Sequence, residues 1–240
     1  MRPKITVWVS LCIIAGAAGC GTPQFPTKVV YESDQSFVRL ETDQTVAQGN
    51  EHSHPVSVSA EQMAAVLGGV VVEAPVSRMP FYDDLSRPRR HPAFTDTEIE
   101  FFAPLLADAL QMATPEEVVT FYQTRRVSAI RREVTSGGLF VKGDRLHLFL
   151  SNYRSKTHYR ADIGVADTTD DRLTPMKPIA PQEGKLDFEP QHYRVPSAPA
   201  GLARLFHWDR RELIVLFRQL PPRRLSSGAA PRSGDVLPRK

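Results

Sequence analysis

Apolar and polar residues alternate with a period of two in the second half of the chain. Leucines occupy every second position from 146 to 150, after an apolar run at 139–141 and the glycine-containing segment 142–144. Such alternation is typical of half-buried strands, and a short turn with glycine commonly joins two of them. The pattern predicts a β-hairpin over 139–150. Shorter strands are predicted at 37–40, 70–72 and 186–188. A last hairpin is predicted with arms at 202–208 and 213–217, where helix is the alternative.

Three other segments carry signals for the start of a helix. Ser59 and Thr95 are each followed, three residues later, by Gln or Glu, which is the capping-box pattern. Apolar residues then recur at helical spacing, with Pro104 expected to kink or restart the second helix. Residues 114–117 (Thr-Pro-Glu-Glu) combine a cap, a proline at the first helical position and a glutamate at the third. They predict a third helix over 118–125.

Together these patterns predict an α+β fold with a mostly antiparallel sheet, two to four short helices, long proline-rich loops and a disordered C-terminal tail. The 20 prolines outnumber the 14 glycines, which favours long irregular connections. The length suits one domain. The predicted divisions are a signal peptide at 1–19, a lipidated tether at 20–36, one globular α+β domain at 37–220 and a disordered basic tail at 221–240.

Composition excludes several classes of protein. With 41% hydrophobic and 24% charged residues among 240, the chain is neither disordered throughout nor a membrane protein of many spans. The formal net charge of +3 is concentrated near the C-terminus, since residues 204–240 hold nine basic and three acidic side chains. No nucleic-acid partner is expected, because this charge lies in a terminal segment rather than on a folded basic face.

The first residues have the organisation of an export signal. Met1-Arg2-Pro3-Lys4 is positively charged, and the following 14 residues, 5–18, are apolar and end in small side chains. A span of the hydrocarbon layer needs about 20 apolar residues, so this stretch is short for a transmembrane helix. The pattern predicts a removable Sec-type signal peptide.

The end of this signal, Ala17-Ala18-Gly19-Cys20, resembles the cleavage site of bacterial lipoprotein precursors. The resemblance covers residues 1–21 only. It implies that signal peptidase II recognises Ala17, Ala18 and Gly19, and that Cys20 becomes the N-terminus carrying diacylglyceryl and a further acyl chain such as palmitate. Ala17 stands where leucine is most common, so ordinary signal-peptidase cleavage at an Ala-x-Ala-like site is the alternative.

The cysteine content agrees with lipidation of Cys20. The other cysteine, Cys12, leaves with the signal, so Cys20 has no partner for a disulfide within the exported chain. Two or three acyl chains hold a protein stably on a bilayer. Because Gly21 stands where aspartate retains lipoproteins at the inner membrane, the resemblance implies a protein on the outer membrane, facing the periplasm.

Few residues outside the signal suggest chemistry. The common hydrolase, nucleotide and zinc-protease signatures are missing from the sequence, and no cofactor is predicted. His52 and His54 lie two residues apart, so on an extended segment both imidazoles face one side and can share a metal ion. The alternative is a polar loop with incidental histidines. The acidic pair Asp170-Asp171 is assigned to a turn.

Basic residues near the C-terminus are candidates for contact with an anionic glycan or lipid, namely Arg223, Arg224, Arg239 and Lys240. The function expected from these observations is a non-catalytic binding or structural module, anchored in the cell envelope through Cys20, with an envelope protein or anionic glycan or lipid as partner. One alternative is a lipid-anchored enzyme, in particular a metal-assisted hydrolase using His52 and His54. Another is an adaptor that binds partners through the basic tail.

Overall fold

The computed structural model describes residues 28–43, 45–46, 51–74, 88–129, 131–158, 171–182, 184–196 and 211–226. The predicted signal peptide, Cys20 and the residues beyond 226 lie outside these ranges. Neither helix in the described part of the chain combines the length and hydropathy that crossing a membrane requires.

The described residues form ten strands and two α-helices. In chain order these are β1 (Lys28–Glu32), β2 (Ser36–Thr42), α1 (Ala60–Gly69), β3 (Val70–Glu73), β4 (Arg90–Pro92), α2 (Asp96–Met112), β5 (Glu117–Arg126), β6 (Arg131–Lys142), β7 (Arg145–His158), β8 (Lys185–Phe188), β9 (Arg194–Val195) and β10 (Glu212–Val215). Seven strands form a large sheet in the order β1-β2-β5-β6-β7-β10-β9, and β4-β3-β8 form a small one. Every neighbouring pair is antiparallel. The α+β prediction is confirmed at this level, with β structure dominant.

The helices begin where the sequence predicts. The Ser59 hydroxyl accepts a hydrogen bond from the Gln62 amide at 3.1 Å, and Thr95 and Glu98 form a complete capping box. These contacts satisfy backbone N–H groups that otherwise have no partner in the first helical turn. α2 continues through Pro104 without restarting.

α2 packs on β1, β2 and β5 of the large sheet and α1 packs on α2, with the main hydrophobic core between these elements. Alternate residues of the central strands face this core, including Leu40, Val119, Phe121, Leu139 and Leu148. The intervening residues therefore point to the opposite face of the sheet. This opposite face, which we call the open face, bears the polar residues described below.

The predicted helix over 118–125 is wrong, because these residues form the central strand β5. Thr114 and Glu117 still interact, since the Glu117 carboxylate accepts the Thr114 amide at 2.8 Å, but they close a turn. The run from Val118 to Tyr122 is β-branched and aromatic, and every residue in it is buried. Pairing with β2 and β6 satisfies the backbone of this segment along both edges, which overrides the local helix signal.

The β6–β7 hairpin is confirmed, with Gly143 at φ +63° in its turn. Its pairing is irregular further along, because Val134 pairs with Ser155 whereas Ser136 pairs with Asn152. The extra residue in β7 forms a bulge that includes Arg154 at φ 46°. The other predicted strands coincide with β2, β3, β8 and β10. The predicted arm at 202–208 lies outside the described residues, and β10 pairs with β7 and β9.

Two described segments of the fold, 28–32 and 221–226, lie outside the range predicted for the globular domain, 37–220. β1 lies within the segment assigned to the tether, so the folded part starts at or before residue 28. Residues 221–226 have no regular structure but contact the helices. Arg223 forms an ion pair with Asp96 at 2.7 Å, and Leu225 packs against the core.

Candidate functional site

A cavity of about 570 Å³ lies on the open face of the large sheet. We call it the sheet cleft. Its polar walls come from three places: the end of β2 and the residues after it, the extended segment 51–59, and the strands β6, β7 and β10. The lining residues used below are Glu41, Asp43, His52, Phe140, His147 and Glu212.

The extended segment 51–59 positions the two predicted histidines. Its residues alternate strictly between exposed and buried, so that His52 and His54 both point inward with only 7% and 5% of their surface exposed. Ser53 holds the segment on the hairpin, because its amide donates to the Val141 carbonyl at 2.7 Å and its hydroxyl accepts the Gly143 amide at 2.8 Å. The expected common orientation is therefore observed, with 5.6 Å between the ring centroids.

His54 forms a hydrogen bond with the backbone and does not line the cleft. Its Nε2 accepts the Val141 amide at 3.1 Å, which fixes one nitrogen of the ring. Burial, and then the charge of the neighbouring His52, lower the pKa of His54 to about 4. The ring is therefore neutral at physiological pH and acts as a structural hydrogen-bond acceptor.

His52 forms a His–carboxylate pair at the edge of the cleft. Its Nε2 lies 3.1 Å from Oδ2 of Asp43, whose other oxygen accepts the amide and hydroxyl of Thr45 at 2.9 and 2.7 Å. The hydrogen bond from His52 is the main cause that lowers the pKa of Asp43 to about 2. The remaining nitrogen of His52, Nδ1, is buried and has no hydrogen-bond partner among the described residues.

A second His–carboxylate pair lies across one aromatic ring. Phe140 stacks on His52 on one side, with centroids 4.0 Å apart, and on His147 on the other, 4.6 Å apart. Nδ1 of His147 lies 2.6 Å from Oε1 of Glu212. The two pairs are thus carried on neighbouring elements and separated by Phe140.

The cleft is acidic and partly apolar. Glu41 accepts the Thr120 hydroxyl at 3.0 Å, and burial is the main cause that raises its pKa. Together with Asp43 and Glu212 it gives the lining three carboxylates against the single ammonium group of Lys142. Apolar side chains complete the lining: Val46, Val118, Phe140, Phe149 and Met176.

One wall of the cleft belongs to residues 171–182, which we call the cover segment. Arg132 donates to Asp171 at 2.9 Å and to the Tyr122 hydroxyl at 2.7 Å, which attaches one end of the segment to the open face. Met176 lies against Gly138, where a Cβ atom would come within 2.5 Å of its sulfur. Asp171 lies in a turn, as the sequence predicts, and also attaches one wall of the site to the sheet.

Residue Asn152 fixes the middle of the cover segment. Its amide nitrogen donates to Ser136 Oγ and to the Lys177 carbonyl, each at 2.9 Å, and its oxygen accepts the Ile179 amide at 2.8 Å. Asn152 is 1% exposed, so these bonds are formed away from water. The cover segment is thereby held on the sheet by a buried polar network.

The structure brings some of the predicted site residues together. His52 and His54 are adjacent, but no group of three metal-ligating side chains occurs in the described ranges. Arg223 pairs with Asp96, and Arg224 is exposed. The remaining predicted site residues, Ala17, Ala18, Gly19, Cys20, Arg239 and Lys240, lie outside the described residues.

Sequence reasoning did not find Asp43, His147 or Glu212. His147 had a detectable signal, because it stands between two core-facing leucines and must therefore face the other side of the sheet. Its partner Glu212 had no such signal, since Glu212 lies beside His147 only because β10 pairs with β7.

No protein-family model matches the chain, and comparisons with curated proteins and with solved structures found no match.

Proposed function

We propose that this chain is a lipid-anchored envelope protein that binds a small, positively charged organic ligand in the sheet cleft without transforming it. The observation that carries the proposal is the lining of the cleft, where three carboxylates and one lysine surround an apolar floor. Its volume of about 570 Å³ lies within the usual range for small-molecule sites. An amine or guanidinium group would supply the positive charge that this lining lacks.

The buried carboxylate Glu41 is the best-placed acceptor for such a group. Its neighbours lower its pKa less than burial raises it, so a ligand cation beside it would gain a favourable charge interaction. The paired residues Asp43 and Glu212 are held in fixed positions by His52 and His147. Fixed acceptors reduce the ordering cost of binding. Phe149 offers an aromatic surface to the organic part of the ligand.

Calorimetry on the full chain in non-ionic detergent tests this ligand class. We expect 1,4-diaminobutane to bind saturably with one ligand per chain, whereas butanedioate, a dianion of similar length, does not bind in the cleft. Glu41→Gln and Glu212→Gln should each weaken diamine binding at least fivefold. Glu116→Gln is the matched control, because Glu116 is exposed and does not line the cleft. Equal affinity in all four proteins would contradict the proposal.

The anchor is proposed from the sequence around Cys20. About 0.8 kcal/mol per buried CH₂ makes two or three acyl chains a stable attachment, and Gly21 favours the outer membrane, with the folded domain in the periplasm. Mass spectrometry of the mature N-terminus, beside Cys20→Ser, tests this. We expect an acylated Cys20 that the substitution abolishes. An unmodified N-terminus cut at a neighbouring bond would favour ordinary signal-peptidase cleavage.

The second candidate function is a lipid-anchored, metal-assisted hydrolase. It is favoured by one observation: Asp43 orients His52 as carboxylates orient metal-binding imidazoles, and Nδ1 of His52 has no hydrogen-bond partner among the described residues. Adding Zn²⁺ to the full chain and counting bound metal tests this candidate. A metal-assisted hydrolase requires one Zn²⁺ per chain, bound by His52 with His54 as the second ligand. The His52→Gln variant should then lose the metal.

The basic C-terminal residues remain a proposal for anionic contacts. Arg223 is already paired with Asp96, so exposed Arg224, together with Arg239 and Lys240, is the better source of attraction to a glycan or lipid. We also propose that the proline-rich stretches form loops and that the chain after residue 226 is disordered. Deleting 227–240 should weaken envelope association without changing the melting temperature.

A further inference from the structure

A second cavity, of about 390 Å³, lies beside the bulge of β7. We call it the basic pocket. Its walls come from β7, the end of the cover segment and the small sheet, and its charged lining residues are Arg154, Lys156 and Arg211. Among the described residues, no aspartate or glutamate lines it. We propose that the basic pocket binds an anionic group, with phosphate as the chemistry that fits it best.

The basic residues of this pocket lack carboxylate partners among the described residues, unlike four arginines elsewhere in the fold. Arg39, Arg90, Arg132 and Arg194 each form an ion pair with a carboxylate at 2.6–2.9 Å. The three basic residues of the pocket form no ion pair with a carboxylate of the described residues, whose ion pairs all lie elsewhere. A partly buried cation without a counter-ion is unfavourable, so a bound anion would relieve it.

Arg211 is the most constrained of the three. Its guanidinium donates to the Leu150 carbonyl at 2.9 Å, and its own carbonyl accepts the Leu150 amide at 3.2 Å. These two bonds hold the residue at the start of β10, beside β7. Burial alone lowers the pKa of Arg211 to about 10, which leaves the group charged at physiological pH. Its other guanidinium nitrogens donate no hydrogen bond to a described residue.

Hydrogen bonds fix the bulge of β7 that carries Arg154, one of the other basic residues of the pocket. Arg154 adopts φ 46°, a left-handed conformation that is unfavourable for a residue with a side chain. The bulge is fixed because the Arg154 amide donates to Thr135 Oγ1 at 3.3 Å and the Gln182 side-chain oxygen accepts the Tyr153 amide at 3.1 Å. Gln182 also donates to Ser155 Oγ. Bulges re-aim side chains, and strained residues held in this way concentrate at binding sites.

The shape and chemistry of the pocket indicate the ligand class. Guanidinium groups bind phosphate and carboxylate oxygens through two parallel hydrogen bonds, and a nearby ammonium adds a point charge. The volume exceeds that of a bare ion, and Val72, Pro181 and Leu186 supply an apolar wall. A phosphate group attached to an organic residue therefore fits, either as a free phosphorylated compound or as the headgroup of an anionic lipid. This inference does not depend on the sheet cleft.

Calorimetric titration of inorganic phosphate into the full chain, in non-ionic detergent, tests the proposal. We expect saturable binding of one phosphate per chain, weakened at least tenfold by Arg211→Gln. Lys156→Gln should weaken phosphate binding at least threefold. Because Lys156 is exposed, this variant should fold, and it tests the pocket even if Arg211→Gln does not fold. Arg125→Gln is the control, because Arg125 pairs with Glu133 outside the pocket. Unsaturable binding, or equal affinity in every variant, would overturn the proposal.

Repeating the titration in mixed micelles distinguishes the two sources of phosphate. If phosphatidylglycerol, but not phosphatidylcholine, weakens phosphate binding at least tenfold, the pocket takes the lipid headgroup. If neither lipid changes the affinity, the site is assigned to a free phosphorylated compound. Both results require the loss caused by Arg211→Gln.

Discussion

The sheet cleft and the basic pocket differ in how their charges are balanced. In the cleft, Asp43 and Glu212 are each paired with a histidine of the same chain. In the pocket, the Arg211 guanidinium donates to the Leu150 carbonyl and forms no ion pair with a described carboxylate. Two of the three carboxylates of the cleft therefore have a histidine partner, whereas no described carboxylate pairs with the cations of the pocket. The two sites should therefore select ligands of opposite charge, a cation in the cleft and an anion in the pocket.

The largest effect is expected from Asn152→Ala, which should damage both regions at once. Asn152 holds the cover segment, which supplies Met176 to the cleft and Gln182 to the pocket. Its loss leaves several buried polar groups without partners, at a cost of about 3 kcal/mol in the free energy of unfolding. Denaturant titration measures this cost.

The control for this variant is Lys177→Ala, since Lys177 contributes only its backbone carbonyl to Asn152. The control should retain wild-type stability and both binding activities. An Asn152→Ala protein with wild-type stability would show that the network does not hold the segment.

A smaller effect concerns the pH dependence contributed by His54. In the unfolded chain histidine takes a proton near pH 6.5, but in the folded protein His54 does so only near pH 4. Its contribution to stability is therefore present above pH 6.5 and is lost as the pH falls to 4, by about 2 kcal/mol. His54→Gln, which keeps an acceptor for the Val141 amide, should flatten stability between these pH values.

Ser53→Ala is the matched control for His54→Gln, because it alters the same segment without removing a titrating group. It should keep the wild-type slope of unfolding free energy against pH. If His54→Gln has that same slope, burial of a neutral His54 is not the cause of the acid sensitivity.

Asp43→Asn should lower stability by about 1 kcal/mol at neutral pH, after allowance for solvent screening. The pKa of Asp43 is lowered to about 2, so its stabilisation is present above about pH 4 and is lost as the pH falls to 2. Wild type and variant should therefore converge at pH 2 in chemical unfolding experiments. An undiminished difference at pH 2 would mean that the substitution acts through packing.

The smallest effect is expected in the basic pocket, where Arg211→Met should raise stability by up to about 1 kcal/mol. Burial lowers the pKa of Arg211 because the charged form is partly desolvated, and a methionine removes that cost while filling similar space. Thermal unfolding in phosphate-free buffer tests this. A fall of more than 1 kcal/mol would show that Arg211 is structurally required.

Local signals explain why parts of the fold were predictable. The capping residues Ser59 and Thr95 act within one helical turn, so the sequence contains all that is needed to place α1 and α2. The segment Glu117–Arg126 has equally clear local signals and is nevertheless a strand, because its partners in β2 and β6 decide its state. Pairing between distant segments was not readable from a single sequence.

The same distinction applies to the candidate site. The common orientation of His52 and His54 followed from the alternation of an extended segment, and the structure has it. The roles of the two histidines could not be predicted in this way. His54 bonds to Val141 and His52 bonds to Asp43, and the alternation pattern does not define either contact. The His147–Glu212 pair joins residues 65 positions apart. The strained Arg154 likewise depends on a register shift that local propensity does not encode.

A crossed titration tests the central claim, that the cleft and the pocket are independent sites of opposite charge, most directly. Inorganic phosphate and 1,4-diaminobutane are each titrated into wild type, Glu212→Gln and Arg211→Gln by calorimetry at pH 7. We expect Glu212→Gln to weaken only diamine binding and Arg211→Gln to weaken only phosphate binding. Loss of both ligands in one variant, or saturable binding of neither ligand to wild type, would contradict it.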